Sequence, residues 1–487
     1  MPGIVISTAV RTGPTTANLT PTATAFFAGV AERGPSGTAQ LISSFADYES
    51  IYGDFVASGY LYQTVQTFFE EGGARCYVSR VVADGSDAAT KALLDATPDT
   101  VMTLTASGVG EWANSGGLTV QVVNTGSTFR LIIRLNGSVV YTSSYHATVA
   151  AMVNEINNSS TAALYVTATD AGESTLPATI SASNFSGGDD GSTVDGDNVV
   201  TALTAFISDL GPGCVSAAGF TDASTYSGLI AHASTHNRIA IMGFEAESSV
   251  GDATTTAATY IGEESGEEYA AFFHPWVKVP SSVSSALTET IPCDGFIAAK
   301  RAVVQNSFGA FYPYAGEQSS AKYVVGLESS VSKDDINTLY EGYVNGLRVI
   351  NGAVRIYGAR TISTDEANYK FLNARETLNL IVDEAERSLE SFLFKPIDGR
   401  GTIFAEVASR LGGIMERLRS AGGLYELIDS SGNVVDPGYS VIVSDALNPL
   451  TQIAEGIVRA KVGARVSAIG ERIELEITKS TLTATLV

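Results

Sequence analysis

Hydrophobic and polar positions divide this chain into recognisable stretches. The run Thr24-Ala25-Phe26-Phe27-Ala28-Gly29-Val30 is apolar almost without interruption and is closed by Arg33-Gly34-Pro35-Ser36-Gly37, which predicts a strand buried on both faces and ended by a turn. A second strand over 39–45 leads to a helix near Ala46-Asp47-Tyr48. In the following helix Leu61, Val65, Phe68 and Phe69 fall on one side, and Gly72-Gly73 stops it before a strand over 75–81. From 83 to 198 the pattern changes to period-two alternation rich in Thr, Ser, Gly and Val, as in Phe129-Arg130-Leu131-Ile132-Ile133-Arg134-Leu135. Asn136-Gly137 then marks a hairpin into Ser138-Val139-Val140-Tyr141. One helix is expected over 148–157. Residues 199–332 alternate helices (199–210, 226–236 and 257–264) with apolar runs such as Arg238-Ile239-Ala240-Ile241-Met242, which predicts a mostly parallel sheet with covering helices.

Toward the C-terminus, Ser363 and Glu366 have capping-box spacing, opening a helix in which Phe371, Leu378, Ala385 and Phe392 recur every seven residues until Pro396. The next helix, 403–420, carries the stripe Ile403, Val407, Leu411, Ile414, Leu418, with Glu406, Arg410 and Arg417 in a row beside it. Asn448-Pro449 begins a helix expected over 450–461, between strands at 439–443 and 465–469. Two further β-prone runs close the chain, Ile473-Glu474-Leu475-Glu476-Ile477 and then 478–487, where Leu482, Ala484 and Leu486 alternate with threonines. The N-terminus repeats the theme: Ile4-Val5-Ile6 precedes a segment punctuated by Gly13-Pro14 and Pro21. A terminal strand must find a sheet edge, either at home or on a neighbouring molecule.

Composition narrows the function. The chain has 487 residues, 45% of them hydrophobic and 17% charged, enough for several domains with substantial cores. A net charge of −23 argues against nucleic acid as the main partner. Cys76, Cys214 and Cys293 lack ligand or disulfide spacing and read as buried thiols of a reducing compartment. No run of 18 apolar residues is present, so a soluble protein without membrane insertion is expected.

Candidate chemistry is thin. Gly211-Pro212-Gly213 fits neither a dinucleotide nor a Walker loop, and no cofactor is expected. His232 and His236 have the i, i+4 spacing of metal ligands but no third ligand, and read instead as a surface pair on a helix. Asp189, Asp190, Asp195 and Asp197 do not follow a calcium-loop spacing and read as a solvated linker. His274 with Asp294 could suggest a triad, but no nucleophile elbow accompanies them, so neither a catalytic nor a metal site is expected.

Two blocks carry a family resemblance. Pro2-Gly3-Ile4-Val5, Phe26-Phe27-Ala28-Gly29, Arg33-Gly34-Pro35, Phe45-Ala46-Asp47-Tyr48, Tyr52-Gly53 and the run from Phe68 through Gly72-Gly73-Ala74-Arg75-Cys76-Tyr77-Val78-Ser79-Arg80-Val81 resemble, in order and spacing, the tail sheath proteins of contractile-tailed phages and contractile injection systems. Gly342-Tyr343-Val344-Asn345-Gly346-Leu347-Arg348 with Val354-Arg355-Ile356-Tyr357-Gly358-Ala359-Arg360-Thr361-Ile362 resembles the same family, which usually has Trp at the place of Tyr357. Glu71 also departs, where the family commonly has Asn; a local effect at the surface is expected.

The resemblance implies a multidomain α+β and α/β protein: an N-terminal arm (1–20), a core closed by both chain ends (21–82 plus 339–477), an inserted β-rich domain (83–198), an α/β domain (199–338) and a C-terminal arm (478–487). It implies a structural role, as a subunit that polymerises helically around an inner tail tube and contracts to drive it through a bacterial envelope. The arms, through Ile4, Val5, Ile6 and Leu482, Ala484, Leu486, would add strands to neighbours' sheets. Arg410 and Arg417 would meet the tube, or Glu406 would pair with Arg410 on an ordinary solvated face. Implied partners are further copies, the tube, and tail terminator and baseplate proteins, in a virion tail assembled in the host cytoplasm. An α/β enzyme on a modular scaffold, or a tube or baseplate component, is the alternative.

Overall fold

The computed structural model describes residues 23–263, 265–281 and 286–471. Both terminal runs assigned to arms, including Ile4, Val5, Ile6, Leu482, Ala484 and Leu486, lie outside the described residues, as does the expected strand at 473–477. The chain divides into two compact units at Glu384/Ala385.

The first unit is organised by strand β1 (Ala25–Gly29), all five residues of which are buried. β2 (Gln40–Ile42), α1 (Phe45–Tyr52), α2 (Leu61–Glu70) and β3 (Cys76–Arg80) follow, and β3 pairs with β1 in parallel. The chain then leaves to build a separate β-rich body. Its sheets are β4 (Thr90–Leu94), β5 (Thr100–Ala106) and β9 (Val166–Asp170) on one side and β6 (Leu118–Asn124), β7 (Phe129–Leu135), β8 (Ser138–Thr142) and β10 (Ile180–Asn184) on the other, with α3 (Val149–Asn158) packed on them. Phe129, Leu131, Ile133, Met152 and Phe185 belong to a core of its own. The Asn136-Gly137 hairpin forms as the sequence predicts, with both residues at positive φ.

The chain then returns through α4 (Gly196–Leu203), β11 (Gly213–Ala217), α5 (Ala223–Thr235), β12 (Arg238–Met242), α6 (Val250–Ala258) and β13 (Ala270–His274). A small sheet of β14 (Val277–Pro280), β15 (Thr288–Ile291) and β16 (Gly326–Leu327) surrounds the entry to α7 (Asp294–Phe308). α8 (Lys333–Glu341), β17 (Val344–Ile350), β18 (Ala353–Tyr357), α9 (Glu366–Tyr369) and α10 (Leu372–Leu389) complete the path. A second Asn-Gly turn, Asn351-Gly352, joins β17 and β18.

One eight-stranded sheet results, in the order β18-β17-β13-β12-β11-β1-β3-β2, with antiparallel strands only at its two edges. Strands from 21–82 and from 199–338 are therefore hydrogen-bonded neighbours, and the sheet runs through the boundary expected between a core and a separate α/β domain. The reason is that β1 is apolar on both faces, so it needs helices above and below and a strand on each edge. Ala25 and Phe27 enter the core shared with Tyr48, Phe68 and Phe296, whereas Phe26 and Ala28 enter the core shared with Phe206, Tyr226 and Phe272. Each fully buried aromatic or aliphatic side chain stabilises the fold by about 1.5–3 kcal/mol.

Two buried ion pairs hold α7 from either side. Lys300 Nζ lies 2.5 Å from the carboxylate of Glu71, and the Arg301 guanidinium makes a bidentate pair with Glu376 of α10 at 2.5 and 2.7 Å. Glu71 is 0% exposed and also accepts the backbone N–H groups of Lys322, Tyr323 and Val324. The expectation of a surface effect at this position is corrected: Glu71 is an interior clamp joining the end of α2, the middle of α7 and a loop 250 residues further along the chain.

The second unit contains α11 (Thr402–Ser420), the hairpin β19 (Leu427–Ile428) and β20 (Val434–Asp436), α12 (Leu450–Ala454), and a two-stranded sheet of β21 (Tyr439–Ile442) and β22 (Lys461–Ala464). α12 is shorter than predicted because Gly456, at φ +77°, ends it. Asn448 does not cap this helix; it spans the loop, donating to the Ser444 and Arg459 carbonyls and accepting the Arg459 N–H.

Candidate functional site: assembly surfaces of the C-terminal unit

The predicted stripe of α11 is buried: Ile403, Val407, Leu411, Ile414 and Leu418 face inward, joined by Phe404 and Met415. Arg410 stands exposed beside it and has no ion pair among the described residues, while Arg417 is half-buried. Glu406 does not pair with Arg410 at i+4; its carboxylate lies 3.6 Å from Lys395 Nζ. Arg419 is held within the unit by Glu416 and by Glu426 at 2.7 Å, and Tyr439 donates to Glu416 at 3.1 Å. Hence, of the three arginines on this helix, Arg419 is the one whose charge is visibly engaged within the unit.

β21 and β22 pair in the register Tyr439↔Ala464 to Ile442↔Lys461. Among the described residues neither strand has a further strand partner. A two-stranded sheet is marginal by itself in water. On the same unit Ile428, Val435 and Leu450 are exposed at 62, 69 and 82%, apolar side chains left at the surface.

His232 is buried, and its Nε2 lies 2.8 Å from Arg238 Nη1. Arg238 itself is fully buried, stacked on the Phe26 ring at 3.8 Å and donating to the carbonyls of Phe206, Ile207 and Gly211. Burial and this guanidinium push His232 down to about 3. A metal cation has no place beside a buried guanidinium, so the reading of a surface pair is corrected for His232, which is interior, while His236 stays partly exposed with its Nδ1 2.7 Å from Ser208 Oγ. His274 and Asp294 are both buried, and no hydrogen bond joins them among the described residues. Burial lowers His274 to about 4 and raises Asp294 to about 7.

The four aspartates near 190 serve as local backbone partners. Asp189 pairs with Asp87 across the two strands of the connection, Asp190 accepts the Glu111 N–H, and Asp195 caps α4 with Asn198 while Asp197 lies in its first turn. Among the described residues no group of three His, Cys, Asp or Glu side chains could hold a metal. An open cleft of about 520 Å³ between Gln40 and Ile51 on one side and Gly108, Leu164 and Thr167 on the other has no ionisable side chain in its lining. No helix among the described residues is long and apolar enough to cross a membrane.

The fold matches that of contractile sheath proteins. Over 87% of this chain and 89% of its own, the sheath tail protein of Listeria innocua superposes with a TM-score of 0.60 at 13% identity. The sheath of an extracellular contractile injection system, PVC, in its contracted state matches over 99% of this chain and 98% of its own, with a TM-score of 0.56 at 17% identity. The helical sheath of the anti-feeding prophage, also contracted, gives 0.56 at 14% identity over 98 and 99% of the two chains. No protein-family model and no curated protein sequence matches this chain.

Proposed function

We propose that this chain is the structural subunit of a contractile sheath, polymerising helically around an inner tube and contracting to drive that tube through a bacterial envelope. The observation that carries the reading is the end-to-end correspondence with sheath proteins, including two in contracted assemblies.

In this mechanism the arms 1–20 and 478–487, through Ile4, Val5, Ile6, Leu482, Ala484 and Leu486, add strands to β21 and β22 on neighbouring subunits. Each backbone hydrogen bond so formed contributes a net ~0.5–1.5 kcal/mol, and several per strand hold subunits together while the larger units move. Arg410, and with it Arg417, faces the tube. Terminator and baseplate proteins close the polymer, in a tail or tail-like particle assembled in the bacterial cytoplasm.

Negative-stain microscopy of the purified chain tests this. Long tubular polymers are expected, lost on deletion of 1–20 or 478–487. Deletion variants that still polymerise normally would refute the arm mechanism, and a full-length chain that forms no polymer would refute the sheath reading.

A further inference from the structure

We infer that the N-terminal unit is a repulsive acidic shell, so that assembly of this chain is driven by its C-terminal unit and promoted by salt and, more strongly, by divalent cations. The inference rests on the polymer reading above and adds what regulates the polymer.

The charge of the chain is divided very unevenly at the boundary between its units. Residues 1–384 contain 18 Lys and Arg against 39 Asp and Glu, a net −21, whereas residues 385–487 contain 11 against 13, a net −2. Burial sharpens the contrast. Among the described residues of the first unit seven basic side chains are buried, among them Arg238, Lys300 and Arg301, but only five acidic ones. Folding thus withdraws more cations than carboxylates from the surface of the first unit. The C-terminal unit, near neutrality, carries the exposed Ile428, Val435 and Leu450 and the strands β21 and β22, which have no further strand partner among the described residues.

Two such molecules meet with opposed tendencies: apolar surface and strand edges attract, and the acidic shells repel. Repulsion between exposed charges acts over about 10 Å at 0.1 M salt and about 3 Å at 1 M. Salt therefore relieves it while leaving strand pairing and apolar contact in place. Divalent cations, which concentrate at a dense carboxylate surface, act at lower concentration than sodium.

The experiment follows the polymer fraction of the full-length chain by sedimentation and microscopy, from about 0.1 M to about 1 M NaCl, and with millimolar magnesium at constant ionic strength. A several-fold rise is expected in both series. A variant carrying Glu173→Gln, Asp209→Asn, Glu263→Gln, Glu317→Gln and Glu341→Gln, all at exposed positions in the first unit, polymerises at lower salt than the parent. Polymers that dissolve as salt rises would mean that complementary charges join the subunits, and would overturn the inference. So would a neutralised variant that follows the parental curve, because salting-out of apolar surface would then explain the rise. Absence of polymer at every salt concentration is a different result, and refutes the sheath reading itself.

Discussion

Removing the carboxylate of Glu71 is expected to cost as much as truncating a large apolar side chain of the core near it. The geometry sets the size of the effect. Glu71 and Lys300 are 0 and 2% exposed, so Glu71→Gln leaves an ammonium in the interior without its counter-charge. Breaking a buried pair from one side costs about 3–5 kcal/mol. At roughly 2.1 cal/mol/K per residue, a cooperative unit of 384 residues has an unfolding entropy of about 0.8 kcal/mol/K, so the midpoint falls by about 4–6 °C. Glu71→Ala is worse, because the N–H groups of Lys322, Tyr323 and Val324 lose their acceptor as well, at about 1–3 kcal/mol for each that stays unsatisfied. Lys300→Met should be the mildest of the three, since those three amides still hold the remaining carboxylate. Calorimetry and urea unfolding of the dispersed protein give the order. A Glu71→Gln variant within about 0.5 kcal/mol of the parent, the scatter of ordinary surface changes, would refute the clamp. So would a Lys300→Met variant less stable than Glu71→Ala.

Acid acts on the first unit in opposed directions: Asp294, raised to about 7, gains stability as pH falls, whereas the buried histidines lose it. His232 and His274 are held at about 3 and about 4, below the free value of 6.5, so the unfolded chain binds protons first and stability is lost as pH falls below 6.5. Each contributes a loss of about 2 kcal/mol by pH 5, and His232→Gln should lose about 2 kcal/mol less than the parent between pH 7.5 and 5; equal pH slopes in unfolding titrations would contradict this. Arg80 Nη1 donates to the carbonyls of Gly34 and Val109, tying the inserted body to the loop after β1, with Nε on the Ala31 carbonyl. Arg80→Ala should cost about 2–3 kcal/mol and speed amide exchange around 107–111 without affecting β6 and β7; unchanged exchange there would exclude this role.

What was legible in the sequence was whatever depends on neighbours in the chain. The Asn136-Gly137 hairpin, the doubly apolar β1 and the inward stripe of α11 follow from local periodicity and turn chemistry. α7 escaped notice because it is buried almost all round, so it shows no amphipathic stripe, and Lys300 and Arg301 at its centre resemble a solvent face. Their countercharges, Glu71 and Glu376, lie far away in sequence. The same distance hid the surroundings of His232, since Arg238 reaches it from the next strand. Glu71 illustrates the general trap: a lone carboxylate before Gly72-Gly73 looks solvated until a lysine 229 residues later is brought against it. Gly456, a helix breaker at φ +77°, ends α12 inside the span 450–461 that periodicity alone predicts.

The position of β1 in the sheet also has a consequence for synthesis. Its partner on one side, β3, begins at Cys76, but on the other side Ala25 pairs with Cys214, which is made 189 residues later. At about 5–20 residues per second a ribosome needs roughly 10–40 s to cover that interval. Throughout it the run Ala25-Phe26-Phe27-Ala28 has one open edge, while the inserted body, with a core of its own, can already fold. That interval is when the nascent chain is most exposed to aggregation.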